Sequence, residues 1–254
     1  MALEQPALSV RGVGKSFVMH LRGGIVLPVV ANVSFDVPAG ECVVLGGPSG
    51  IGKSSILRMV YGNYAVDTGF IGLATSDGVV DIAEGDPRAI MAARRDGIGY
   101  VSQFLRALPR IGAVDVVAEP LVARGTPAEE ARDSARAMLQ RLNLPEALYD
   151  LPPATFSGGE KQRVNIARGF ITDHRVLLLD EPTASLDAAN RDVVTDMILE
   201  KLRGGVAILG IFHDRPVRDA VATRIVDVSG FSARTSPVSP GGLSSNVHPA
   251  VITA

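Results

Sequence analysis

Gly46-Gly47-Pro48-Ser49-Gly50-Ile51-Gly52-Lys53-Ser54-Ser55 is the stretch on which the fold turns. A short apolar run, Glu41-Cys42-Val43-Val44-Leu45, precedes it, and a helical pattern, Ile56-Leu57-Arg58-Met59-Val60-Tyr61, follows. Gly47 to Ser54 fits G-x-x-x-x-G-K-[ST] in a strand–loop–helix setting. Glycines let the backbone turn so tightly that its N–H groups converge on a phosphate. The helix starting there adds the positive end of its dipole. Lys53 supplies a point charge for β- and γ-phosphates, and the Ser54 hydroxyl a ligand for Mg²⁺. The plain alternative is a glycine-rich turn between a core strand and a core helix. It does not account for Lys-Ser at this offset.

The bulk properties bound the answer. The chain has 254 residues, enough for one large α/β domain or a domain plus subdomain. Apolar residues make up 46%, ample for a sizeable core. A net charge of −2 gives no basic field for nucleic acid or anionic lipid, so no nucleic-acid partner is expected. One cysteine, Cys42, cannot form an intrachain disulfide, and a reducing, cytoplasmic location is expected. No apolar run approaches the ~18–20 residues of a membrane span, so no direct membrane insertion is expected.

Strand patterns at Leu8–Phe17 and Ile25–Val37, with a turn at Arg22-Gly23-Gly24, predict a β-rich layer ahead of the main sheet. Gly69–Ala74 and Val79–Ile82 predict a hairpin around Ser76-Asp77-Gly78. Asp86-Pro87 opens a short helix, and Ile98–Ser102 is a strand ending at Gln103. From Phe104 to Pro153 the pattern turns helical, with Thr126 expected as a helix cap, Pro127 at the first helical position and Glu129 three residues after the threonine. Val176–Leu179 and Val206–Phe212 are apolar runs of the buried parallel type, alternating with helices at Asn190–Leu202 and Pro216–Ala222. Residues 7–229 are read as one α/β domain with a helical subdomain at about 104–170. Residues 230–254, rich in Ser, Pro and Gly, are read as a flexible tail.

Two further stretches carry chemistry. Leu177-Leu178-Leu179-Asp180-Glu181 places carboxylates at the end of a buried strand, facing the crevice onto which the phosphate loop opens. Asp180 suits Mg²⁺, and Glu181 suits orienting or deprotonating an attacking water. Phe156-Ser157-Gly158-Gly159-Glu160-Lys161-Gln162-Arg163 reads as a helix capped by Ser157, its two glycines leaving bare amides. By itself the stretch reads first as an ordinary capped helix.

Phosphate loop, Ser-Gly-Gly stretch and Leu-Leu-Leu-Asp-Glu-Pro-Thr, in this order from about Leu8 to Val228, resemble the ATPase domain of the ATP-binding-cassette (ABC) superfamily. The resemblance implies a P-loop NTPase fold: a mainly parallel core sheet, an N-terminal antiparallel β layer and an inserted α-helical subdomain. It implies ATP and Mg²⁺ as ligands. Nucleotide contacts would come from Gly47, Pro48, Ser49, Gly50, Ile51, Gly52, Lys53, Ser54 and Ser55, with Phe17 stacking on adenine. Gln103 matches a glutamine that binds Mg²⁺ and senses the attacking water, His213 a switch histidine, and Asp187 lies in the Ser185-Leu186-Asp187 loop. Glu181, His213 and Gln103 would be catalytic, and Ser54, Gln103 and Asp180 would hold the metal. Ser157, Gly158, Gly159 and Glu160 would contact ATP held by a second ABC ATPase subunit, identical or homologous, packed head to tail.

Within the superfamily, Val101-Ser102-Gln103-Phe104-Leu105-Arg106, Pro109-Arg110-Ile111, Gln162–Ile171 and Gly210-Ile211-Phe212-His213-Asp214 resemble the PhnL group of the bacterial carbon–phosphorus lyase system. That resemblance implies carbon–phosphorus lyase subunits as partners and support of ribose 1-phosphonate 5-triphosphate formation in phosphonate breakdown. Ile51 and Ser55 depart from the usual Ser and Thr, though the Ile51 amide serves a phosphate equally well. The rival expectation is an ATPase subunit of a membrane transporter, gripping a permease through Phe104–Leu121. A nucleic-acid-associated cassette would usually show paired cassettes or long coiled coils, absent here.

Overall fold

The computed structural model describes residues 5–19, 23–105 and 110–233. Arg22 of the expected turn, Arg106 and Pro109 lie outside them, as do residues 234–254. Two sheets build the molecule. Strands β1 (Leu8–Met19), β2 (Ile25–Val37), β4 (Thr68–Thr75) and β5 (Gly78–Asp81) form an antiparallel sheet in the order β2-β1-β4-β5. Strands β3 (Cys42–Gly46), β6 (Ile98–Val101), β7 (Val176–Asp180), β8 (Ala207–Ile211) and β9 (Arg224–Asp227) form a sheet in the order β6-β7-β8-β3-β9, every pair parallel.

The apolar runs are continuous because the parallel sheet is covered on both faces. Alternate residues divide between two cores, as the two-residue strand period requires. Val43, Leu45, Val176, Leu178, Ala207 and Leu209 face the antiparallel layer. Helix α1 (Lys53–Val60) lies in that same core through Ile56, Leu57, Met59 and Val60. Cys42, Val44, Leu177, Leu179 and Ile208 face the opposite core. There they meet α3 (Ala113–Ala123), α4 (Ala128–Arg141), α5 (Gly158–Phe170), α6 (Ala188–Arg203) and α7 (Arg215–Val221). Burial pushes the Cys42 thiol up to about 12. It is an apolar filler here and no nucleophile.

Helix α2 (Pro87–Gly97) starts as its sequence predicts, with Asp86 accepting from the amides of Arg88 and Ala89. Helix α4 does not. Pro127 holds its cap position, no side chain caps it, and the Thr126 amide bonds Leu121 O in the closing turn of α3. Thr126 therefore ends one helix and does not open the next. Past Ser229, where composition suggested a tail, a 3₁₀ turn runs Val228–Phe231 and Ser232 bridges Val30.

His174 lies between α5 and β7. Arg124 Nη2, at the end of α3, lies 3.0 Å from its Nδ1, and Thr172 Oγ1 lies 2.7 Å from its Nε2. A guanidinium can only donate, so the network assigns Nδ1 as acceptor and leaves Nε2–H to Thr172. Burial, with Arg124 and Lys201 nearby, pushes His174 down to about 4, against a partial offset by Asp173. An unfolded histidine takes its proton near 6.5, so between pH 6.5 and 4 the unfolded chain binds a proton that the folded chain refuses. Stability is therefore expected to fall by about 3 kcal/mol as pH drops through that window. Urea midpoints across pH 7 to 4 check this; His174→Gln should flatten the slope, and an unchanged slope would assign it to other groups.

Candidate active site

In the parallel sheet β6, β7, β8 and β3 stand side by side, so their carboxyl ends lie in a row. Gln103 follows β6, Asp180 ends β7 with Glu181 next, His213 follows β8, and the phosphate loop follows β3. Residues spread over 167 positions, from Gly47 to His213, become neighbours through strand order alone. The crevice beyond the carboxyl ends of such strands is where α/β sheets bind ligands.

The loop has the backbone that its glycines allow. Gly47, Gly50 and Gly52 all take positive φ, at 117°, 75° and 111°. A Cβ on Gly52 would also come within 2.7 Å of Val30 Cγ1, so α1 starts hard against β2. Lys53 is buried at 8% exposure and donates to Gly47 O and Pro48 O at 2.7 and 2.9 Å. Desolvation lowers its pKa, while Glu181 and Asp180 act to raise it. A cleft of about 280 Å³ opens here, lined by Val29, Ser49, Gly50, Gly52, Lys53, Ser54, Ser55, Glu181 and His213.

Asp180 is 1% exposed. Ser54 Oγ donates to its Oδ1 at 3.1 Å, and Tyr100 OH to its Oδ2 at 3.4 Å. Burial raises the carboxyl's pKa, opposed by the Ser54 bond. Burial also lifts Tyr100 to about 12, so it remains a donor at neutral pH. Among the described residues no group of three His, Cys, Asp or Glu side chains is placed to hold a metal. The donors present, a serine hydroxyl and one carboxylate, fit a hard cation such as Mg²⁺, which takes few protein ligands and the rest from water and phosphate.

Glu181 stands at φ 54°, the left-handed region that costs a non-glycine residue about 1–3 kcal/mol. Its amide donates to Ile211 O at 3.0 Å, which fixes the turn out of β7. Its carboxylate meets both flanking candidates: His213 Nε2 lies 2.9 Å from Oε1, and Gln103 Nε2 lies 3.4 Å from Oε2. The expected trio of Glu181, His213 and Gln103 is thus assembled. Gln103 reaches Glu181, not Asp180 or Ser54.

The remaining candidates do not line the cleft. Ser157 caps α5 in a full capping box: Glu160 Oε2 accepts from Ser157 N at 2.7 Å, and Ser157 Oγ accepts from Glu160 N at 3.4 Å. The Glu160 carboxylate is engaged by that cap. A Cβ on Gly159 would sit 2.9 Å from Ser185 O, so this glycine admits the Ser185-Leu186-Asp187 loop. Asp187 caps α6 by accepting from Asn190 N. Phe17 packs edge-on against Tyr64, ring centroids 5.2 Å apart, with Lys15 Nζ 5.4 Å from the Phe17 centroid.

Three side chains tie the candidates together from behind. Gln162 Nε2 donates to Pro182 O at 3.0 Å, and Asn165 Nδ2 donates to Ser102 O at 2.5 Å and Gln162 Oε1 at 3.3 Å. Helix α5 is thereby bonded to the residues flanking both Glu181 and Gln103. Tyr100 is the third. A tyrosine in a short buried strand needs a partner for its hydroxyl, which is the one signal its sequence offers.

A family model described as "ABC transporter" matches residues 30–184. The chain belongs to the ABC transporter family. This cassette is 36% identical over 214 residues to the lipoprotein-releasing system ATP-binding protein LolD of Novosphingobium aromaticivorans, covering 84% of this chain and 92% of that one. It is 35% identical to the macrolide export ATP-binding/permease protein MacB 1/2 of Paracoccus denitrificans, covering 88% of this chain and 32% of that one. Among solved structures it resembles the dimeric post-hydrolysis state of the ATP-binding cassette MJ0796 bound to ADP and Pi. The TM-score is 0.78 at 27% identity, over 87% of this chain and 94% of that chain. As an ABC cassette it is an ATPase that binds ATP with Mg²⁺.

Proposed function

We propose that this chain is the ATP-hydrolysing subunit that drives a membrane permease. The match over almost the whole length of a lipoprotein-releasing system ATP-binding protein carries that reading. The MacB relative, whose name joins ATP-binding and permease functions in one chain, supports it. Among the described residues no helix is long and apolar enough to cross a membrane. The groove between core and helical subdomain, where Phe104 is 75% exposed beside Leu105 and Arg168, offers the permease contact.

Catalysis requires a second cassette in this reading. Lys53 and Ser54 would grip the phosphates, Asp180 and Ser54 would hold Mg²⁺, Glu181 would orient and deprotonate water, and His213 would meet the γ-phosphate. Mg²⁺ neutralises phosphate charge when bound. Ser157, Gly158 and Gly159 are absent from the lining of their own chain's cleft and complete a partner's. The dimeric cassette with ADP and Pi supports this arrangement.

A second reading rests on the stretch Gln162–Ile171. Asn165 forms the bond to Ser102, and Gly169 lets Val101 approach so closely that a Cβ would meet its Cγ2 at 2.5 Å. These two residues belong to the pattern that resembles the carbon–phosphorus lyase ATPases. Neither relative above carries that name, so lyase subunits give way to a permease as the leading partner. Affinity purification from cells grown on a phosphonate as sole phosphorus source separates the readings. A detergent-requiring permease should copurify. Recovery of lyase subunits without detergent would overturn the transporter reading.

A further inference from the structure

One side chain reaches from the candidate metal carboxylate to the groove between the subdomains. Tyr100 lies on β6, half-buried, beside β7 in the register Tyr100↔Leu178. Its hydroxyl donates to Asp180 Oδ2, while its ring lines the groove together with Tyr61, Arg58, Asn165 and Arg168. The ring is packed against Tyr61, 4.9 Å away between centroids, and the Arg94 guanidinium lies 4.2 Å from the Tyr61 centroid. Such stacked and cation–π contacts hold the ring in one place.

The two oxygens of Asp180 each receive one hydroxyl, Ser54 at Oδ1 and Tyr100 at Oδ2. The two bonds fix the carboxylate's rotation about χ2. They are not equivalent in use. When the Ser54 oxygen turns to a cation, Tyr100 is the hydroxyl that still orients Asp180. The phenol has no place among the residues lining the phosphate cleft, so it acts through Asp180.

We propose that Tyr100 is a positioning residue for the Mg²⁺ site: from the groove side its hydroxyl holds Asp180 in the orientation that would meet the cation. This rests on the reading of Asp180 as the Mg²⁺ carboxylate. The role is separate from that of Gln103, which contacts Glu181.

The test is Tyr100→Phe, which keeps the ring and its packing on Tyr61 and removes only the hydroxyl. Binding of a fluorescent ATP analogue is titrated in excess Mg²⁺ and again in EDTA, alongside the apparent Mg²⁺ requirement of turnover. The expected result is a loss of about five-fold in the Mg²⁺-dependent gain in affinity, the scale of one ordinary net hydrogen bond, as suits a contact of 3.4 Å. EDTA binding should be unchanged, and turnover should recover at high Mg²⁺. Equal weakening with and without Mg²⁺ would show a packing role and overturn the proposal, as would no change in either. Asp180→Asn run in parallel separates the two levels. If it abolishes the Mg²⁺-dependent gain while Tyr100→Phe leaves it intact, the role of Tyr100 fails and the site assignment stands. If Asp180→Asn leaves the gain intact, the assignment of Asp180 itself fails.

Discussion

Glu181→Gln is expected to bind ATP as the parent chain does and to hydrolyse it about 10²–10⁴-fold more slowly, the range that general-base catalysis supplies. Glutamine keeps the shape of the side chain and its acceptor toward His213, so the strained turn at φ 54° and the bond from the Glu181 amide to Ile211 O survive. What is lost is an oxygen able to take a proton from water. In the proposed head-to-tail pair, blocked hydrolysis leaves ATP between the phosphate loop of one cassette and Ser157 of the other, and an ATP-dependent dimer should accumulate. Phosphate release measures the first effect and size-exclusion chromatography with ATP the second. A variant that hydrolysed near the parental rate would remove Glu181 from its role and point to His213 or Gln103.

Lys53→Ala should weaken ATP binding by about 10²–10³-fold, the cost of deleting one member of a desolvated charge pair. Lys53 is buried and directed across the mouth of α1, with the Asp180 and Glu181 carboxylates as its acidic neighbours. Without its charge the triphosphate meets those carboxylates unshielded. Ligand at 100 times its dissociation constant stabilises a fold by about 2.7 kcal/mol. Parent chain should show that gain on adding ATP and Mg²⁺, and the variant at most about 0.4 kcal/mol at the same concentration. Retained ATP-induced stabilisation would mean that the loop amides alone hold the phosphates.

These side chains were legible to different depths. The phosphate loop was plain because its glycines answer a backbone requirement, now visible as three positive φ angles. Asp180 and Glu181 were marked by the apolar run before them. Gln103 and His213 are single polar residues after short strands; only resemblance picked them out, and strand order then put them beside Glu181. Tyr100, Gln162 and Asn165 gave no motif. Their partners are Asp180, Pro182 O and Ser102 O, and such pairings depend on how elements pack. The Thr126 cap failed for a local reason: two helices compete for one short connection, and the outgoing turn of α3 takes the Thr126 amide. Phe17 is a single aromatic in a strand, marked only by resemblance. The resemblance implies that it stacks on adenine, and in the fold its ring rests edge-on against Tyr64.

Cys42, the single cysteine of the chain, is sealed in the core with its thiol held far from ionisation at neutral pH. For maleimide or nitroxide reagents the folded chain is in effect cysteine-free. A thiol introduced on an exposed position would carry a probe without first stripping the background. Distances between two copies, one labelled beside the phosphate loop and the other beside the cap of α5, then become directly measurable in the unaltered fold.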